Sequence, residues 1–384
     1  MLAIHNGQYQ YLLGSVSANM FPLSHIPLFS LLSMTVILSA KISMVNSHGC
    51  ESFDNVRSEV IETNDRQSSE KLDGCIERKK LHDKTIVSAY FRNQKIPKLG
   101  KESVRYLVKL KTISFWGCNV ETVEAGAFKG VPQLKNVQIS FSNLKKIRMG
   151  VFNPIETLEL LRIHDNRIDT IDDQAFANLT SLKKIYAGNN ALSYWHSNWF
   201  RNSTNLQTMD FHNNKIRTLP RRAFATLPKL KRINLDWNEI SAIESEAFRG
   251  LKKLQYLGLG NNRLTVIHES VFPSNIQIST LLINANYLNY LSGELLNKVS
   301  VLEVFLDYNP WKCPCLKEIY AWIHSTNGAL RVYDGCGSNH VPVCANRKSL
   351  LQCSENVDEE LSRRYLGVFA NLTKPLASGC VRTD

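Results

Sequence analysis

Between Val104 and Trp311, apolar residues recur in a frame of 24 positions. Residues 230–254, LKRINLDWNEISAIESEAFRGLKKL, show it: Leu230, Ile233, Leu235, Ile240, Phe248, Leu251 and Leu254 are apolar, with mostly polar residues between them. Alternation in Leu257-Gly258-Leu259 predicts a short strand whose leucines point inward and whose middle residue faces solvent. One such unit cannot bury its own leucines, so stacked neighbours must bury them together.

Two columns fix the register. Cys118, Ser142, Asn166, Asn190, Asn214, Asn238, Asn262 and Asn286 stand 24 apart, and Asn309 closes the column one residue early. Phe128, Phe152, Phe176, Phe200, Phe224, Phe248 and Phe272 form the second, with Leu296 as its last member. The Asn carries donors and an acceptor for a turning backbone, and the Phe is expected to fill the opposite, convex side of each coil. Ala187 replaces a larger residue where Trp195 replaces a smaller one, which implies a volume exchange in the core.

The template L-x-x-L-x-L-x-x-N-x-L resembles the leucine-rich repeat in its 24-residue extracellular form. That resemblance implies an α/β-type solenoid: a curved horseshoe with a parallel β-sheet on its concave face and disulfide-closed terminal caps. Nine or so coils are expected. A weaker copy through Ile86, Phe91, Ile96 and Leu99, with Gln94 in place of the Asn, is expected to form the first coil. The expected organisation is residues 1–47 as signal peptide with a possible upstream extension, 48–84 as N-terminal cap, 85–308 as repeats and 309–384 as C-terminal flank and tail.

The nine cysteines sharpen this picture. Cys50 and Cys75 lie before the repeats, Cys313, Cys315, Cys336, Cys344, Cys353 and Cys380 after them, and Cys118 stands alone in the Asn column. Such clustering suits an oxidising compartment, with Cys50 to Cys75 as the natural bridge of the N-terminal cap and Cys118 a free, buried thiol. Ile26 to Ala40 is an apolar run of export-signal length, too short for a comfortable membrane span, with Met20 an alternative start. A secreted, extracellular protein without a membrane span is expected.

Asn309-Pro310-Trp311-Lys312-Cys313-Pro314-Cys315 resembles the start of the cysteine-rich C-terminal flank of secreted leucine-rich repeat proteins. The resemblance implies Cys313 to Cys336 and Cys315 to Cys353 as pairs, with Cys344 and Cys380 left to bond each other among four downstream candidates. The aromatic repeats and the ending from Pro-Val-Cys344 to Cys353 are similar to insect leucine-rich immune proteins lacking a coiled coil. That similarity implies a humoral role in innate immunity; related folds guide cells or organise matrix.

Charge changes less than it first suggests. The formal net charge is +12, but the basic residues are scattered and form no long block, so nucleic acid is not the expected partner. Lys111, Lys135, Lys183 and Lys231 share one repeat position and would suit an anionic glycan or microbial surface. On the strand face the varying residues include Arg162, Lys184, Tyr186, Arg232 and Tyr256, with Trp116, His164, Asp236, Trp237 and Tyr308 in further columns. Aromatics and arginines on a rigid sheet compose a protein-binding surface, and Arg162, Lys184, Tyr186, Arg232, Trp237 and Tyr256 are the candidate ligand-binding residues.

Enzymatic chemistry finds little support. His164 and His212 lie two repeats apart without a third metal ligand, the Gly258-Leu259-Gly260 segment is explained by the repeat frame, and Asp210 beside His212 reads as two solvated polar residues. No catalytic residue, cofactor or metal is expected. Asn178, Asn202 and Asn371 open N-glycosylation sequons; the first two stand 24 apart and are expected on one flank, away from the strand face.

Overall fold

The structure, a computed structural model, describes residues 52–78, 85–331, 344–345 and 352–372. The described residues fall in one compact unit, residues 50–384. Residues 1–49, with the export segment expected in them, lie outside the described residues, as do Cys50, Cys336 and Cys380. Among the described residues no helix is long and apolar enough to cross a membrane.

An antiparallel hairpin opens the second unit: β1 (Phe53–Glu62) pairs with β2 (Gln67–Gly74) on one side and with β3 (Ile86–Arg92) on the other. Val56, Ser58 and Val60 alternate inward along β1, as one buried face of a strand requires. Phe53 stacks over Phe91 and Phe115 with ring centroids 5.5 and 6.3 Å away, covering the leucine-lined end that would otherwise face water. Gln94, in place of the column Asn, accepts a hydrogen bond from the Arg57 backbone of the hairpin at 3.1 Å. Cys75 is disulfide-bonded.

From β3 onward the main sheet is parallel, and with the hairpin it has 13 strands. This is a curved leucine-rich repeat solenoid. Among the described residues the parallel run has eleven strands, opening on β3 in the expected first coil and ending on Ala329–Arg331, which the C-terminal flank adds beyond the coils expected. Leu161, Ile185, Met209, Ile233 and Leu257 are buried at one register position in successive coils.

The Asn column does what its chemistry allows. Asn214 Nδ2 donates to the carbonyls of Ala187, Phe211 and His212 at 3.0–3.2 Å, while its Oδ1 accepts from Leu192 N at 3.0 Å. Asn238, Asn262 and Asn286 repeat the set. Cys118 is a free thiol buried in the same column, 3.3 Å from Phe91 O.

On the convex side Phe128, Phe152, Phe176 and Phe200 stack in sequence at 5.3–6.4 Å, and Phe224, Phe248 and Phe272 at 4.9–5.3 Å. Trp195 joins the two stacks, its centroid 6.3 Å from Phe200 and 5.2 Å from both Phe211 and Phe224.

Among the described residues the α-helices are α1 (Gly293–Lys298), α2 (Cys313–Ser325) and α3 (Glu359–Leu372). Cys315 bonds Cys353, but Cys313 bonds Cys344, not Cys336. The cause is local pairing: Trp311–Lys312 forms a parallel ladder with Cys344–Ala345, which sets Cys344 beside Cys313 at 4.8 Å between Cα atoms. Lys312, buried, donates to Ser354 O at 2.9 Å and Asn356 O at 2.7 Å, fixing the start of α2 against the tail.

Candidate functional site

Sheet register decides which varying side chains share a surface. Leu160, Lys184, Thr208, Arg232 and Tyr256 align across five strands, and Arg162, Tyr186, Asp210, Asn234 and Gly258 align two residues further on. Arg162, Lys184, Tyr186, Arg232 and Tyr256 therefore stand together on the concave face. The Arg162 guanidinium lies 5.6 Å from the ring centroid of Tyr186 in the next coil, and Arg232 lies 4.8 Å from that of Tyr256. Each pair holds a planar cation against an aromatic face, and among the described residues no carboxylate forms an ion pair with either arginine or with Lys184.

A buried carboxylate fixes the second pair. Asp236 accepts from the Tyr256 hydroxyl at 2.7 Å through Oδ2 and from Gly260 N at 2.7 Å through Oδ1. It lies over Gly258, where a Cβ would come within 2.5 Å of Oδ2. Burial pushes the Asp236 carboxyl up to about 6, the two hydrogen bonds opposing that rise. In the neighbouring coil His212 Nδ1 is 2.7 Å from Asp210 Oδ1, which holds the imidazole above its usual range despite its burial. His212 covers Gly188, where a Cβ would clash with Nδ1. The glycines that punctuate the face are thus the floor under His212 and Asp236, and Asp210 with His212 is a hydrogen-bonded pair inside a polar cluster.

Trp237 lies outside this cluster. It sits one residue beyond Asp236, at the lip where the chain turns away from the sheet, with φ at 58°. Its column runs Gly117, Phe141, Asp165, Asn189, Asn213, Trp237, Asn261, Ala285 and Tyr308, and every member is left-handed, φ 48–65°. Phe141 shares this position with Trp237 and Tyr308, but no strict residue preference marks the column in the sequence as the Asn and Phe columns are marked. It is 48% exposed, tilted against Trp116 at 5.1 Å and edge-on to His164 at 5.6 Å. Between Phe141 and Trp237 the polar members form a ladder: Asn213 Nδ2 donates to Asn189 Oδ1 at 2.8 Å, and Asn189 Nδ2 to Asp165 Oδ1 at 2.9 Å.

The lysine line is partly neutralised. Glu159 bridges Lys135 and Lys183, each at 2.7 Å, and the two ammonium groups hold its carboxyl below the ordinary range. Asn178 and Asn202 are exposed and left-handed in adjacent coils, joined by an Asn202 Nδ2 to Asn178 Oδ1 bond of 3.0 Å. Asn371 falls in α3, where its side chain lies outside what is described.

Comparison with known proteins agrees with this architecture. The BspA-type leucine-rich repeat region matches in six copies, over residues 97–226 and 169–296, together just over half of the chain. No curated protein matches the sequence. Among solved structures, the mouse RP105/MD-1 complex aligns at 21% identity with a TM-score of 0.54, over 64% of this chain and 42% of that one. The chain thus spans less than half the length of that protein. An octameric complex of Latrophilin 3, Unc5D and FLRT2 aligns at 20% identity and TM-score 0.48, over 65% of this chain and 83% of that one. Human 5T4 aligns at 17% and 0.45, over 64% and 84%.

Proposed function

Because the chain belongs to the BspA-type leucine-rich repeat family, we propose that it is a secreted, non-enzymatic scaffold whose concave face docks another extracellular protein. The observation that carries this reading is the set of two Arg–Tyr pairs and Lys184, held on a rigid sheet without an ionic partner among the described residues. Aromatic and arginine side chains dominate measured binding energies. Arg162, Lys184, Tyr186, Arg232 and Tyr256 form the contact surface, and Trp237 flanks it at the lip. A basic strip for anionic glycans is less favoured, since Glu159, shared by Lys135 and Lys183, offsets part of its charge. Affinity capture with the secreted protein tests the reading: Arg232→Ala or Tyr186→Ala should weaken retention of the captured partner by about 2 kcal/mol, as truncated hot spots do. Unchanged retention by both variants contradicts it.

Secretion is supported by the apolar run at Ile26 to Ala40 and the paired cysteines beyond the repeats. Animal cells expressing the chain should release a product lacking residues 1–39 that loses mass on glycosidase treatment of Asn178, Asn202 or Asn371. An unglycosylated cytosolic product overturns it. The humoral immune role rests on the resemblance to insect immune proteins; retention on bacterial cells once the captured partner is added supports it, and no retention with or without the partner contradicts it.

A further inference from the structure

The lip column poses a problem that the concave face does not solve. A left-handed residue other than glycine, asparagine or aspartate costs roughly 1–2 kcal/mol, and Gly117, Asp165, Asn189, Asn213 and Asn261 obey that preference. Phe141, Trp237, Ala285 and Tyr308 do not, and of these Phe141 and Trp237 are the exposed large side chains. Burial would offset the cost, yet Phe141 is 48% and Trp237 53% exposed. Phe141 leans on Trp116 and His164, yet about half of each aromatic stays in solvent, and strain of this kind gathers where a surface is used.

Between the two aromatics lie Asp165, Asn189 and Asn213, one per coil, linked side chain to side chain. The Asp165 carboxylate is further held by His164 Nδ1 at 2.6 Å. Each bonded amide keeps one N–H and at least one oxygen lone pair unspent in this ladder. The members share one repeat position, so the row follows the sheet at one residue per coil, and Phe141 to Trp237 spans four coil spacings, about 19 Å. In that column the one formal charge between the aromatics is negative.

We propose that this lip binds a linear, uncharged oligosaccharide, laid along the solenoid with sugar rings against Phe141 and Trp237 and hydroxyls on the Asp165–Asn189–Asn213 ladder. Sugars present apolar C–H faces suited to an aromatic ring, and hydroxyls that both donate and accept, as carboxamides and a carboxylate do. A repeating ligand also matches a row of groups repeating at the coil spacing, whereas a globular protein surface has no such period. The missing positive charge in the row argues against a sulfated or phosphorylated chain. This proposal does not depend on the protein-docking reading, since it uses different side chains on a different edge of the sheet.

Titration of the secreted protein with uncharged β- and α-linked glucose and N-acetylglucosamine oligomers, followed by tryptophan fluorescence and calorimetry, tests it. At least one tetrasaccharide should bind, more tightly than its disaccharide, which cannot reach both aromatics. Phe141→Asn and Trp237→Asn should each weaken that binding about tenfold, the scale of one aromatic contact. Their melting temperatures should be unchanged or raised, because asparagine suits the left-handed turn. Arg232→Ala should leave sugar affinity unaltered, which separates this site from the concave face. The proposal is overturned if no uncharged oligomer binds, if heparin alone does, or if the double variant binds the sugar as well as the parent. It is likewise overturned if the double variant loses only the captured protein partner, which would make the lip part of that interface.

Discussion

Two columns of the solenoid are one residue apart and follow opposite rules. Asn214, Asn238, Asn262 and Asn286 are buried and identical because each must satisfy backbone groups of two coils at once. Phe141, Asp165, Asn189, Asn213 and Trp237, immediately before members of that column, share a single backbone conformation yet differ in chemistry. Where the fold uses the side chain, residue type is fixed; where it uses only the backbone, residue type is released for contact with something else. A solenoid thus separates stability from recognition by register, not by domain.

The sharpest break in that comparison is Asn238→Ala. It removes an amide whose two N–H groups are shared among Phe211 O, Leu235 O and Asp236 O, and whose oxygen accepts from Ile216 N. Leaving buried groups unsatisfied costs about 1–3 kcal/mol, and with both amide functions lost the expected cost is about 3 kcal/mol in chemical denaturation. Equal stability would mean that water replaces the amide.

Next comes pH. The Asp236 carboxyl titrates near 6 in the folded chain and near its ordinary value when unfolded. Between those values the unfolded state binds fewer protons, so this group's contribution is fully present below about pH 4 and is lost as pH rises through about 6. His212, raised by Asp210, acts in the same direction, its contribution being lost as pH climbs through its folded value. Comparing stability against pH for the parent and Asp236→Asn should show the parent losing at most about 3 kcal/mol relative to the variant across this window. Parallel curves would refute the assignment.

A smaller effect is expected from Gly258→Ala, whose Cβ meets the Asp236 carboxylate at 2.5–2.7 Å. Overpacking should cost about 1–2 kcal/mol and loosen the Tyr256 ring, which an altered tyrosine fluorescence would report. No change in either property would show that the carboxylate moves freely.

Much of this was legible beforehand. The 24-residue frame, the Phe stack, the Asn bonds and the free Cys118 all follow from residues the interior cannot exchange. The lip was not legible, because left-handed backbone shows in sequence only through Asn, Asp or Gly, and Phe141 and Trp237 mask it. Trp237 was therefore placed on the strand face when it belongs to the edge. The Cys313 partner was hidden too, since only the ladder from Trp311 to Cys344 selects it from the cysteines downstream. Nor did the weak first coil reveal that β1 and β2 continue the sheet beyond it.

The division between the columns is tested most directly by melting two single variants at neighbouring positions, Asn238→Ala and Trp237→Asn, beside the parent. Asn238→Ala should melt well below the parent, while Trp237→Asn should melt at the parent's temperature or above it, since asparagine relieves up to about 1 kcal/mol of left-handed strain. If Trp237→Asn falls as far as Asn238→Ala, the exposed tryptophan is serving the fold and the lip is not free for recognition.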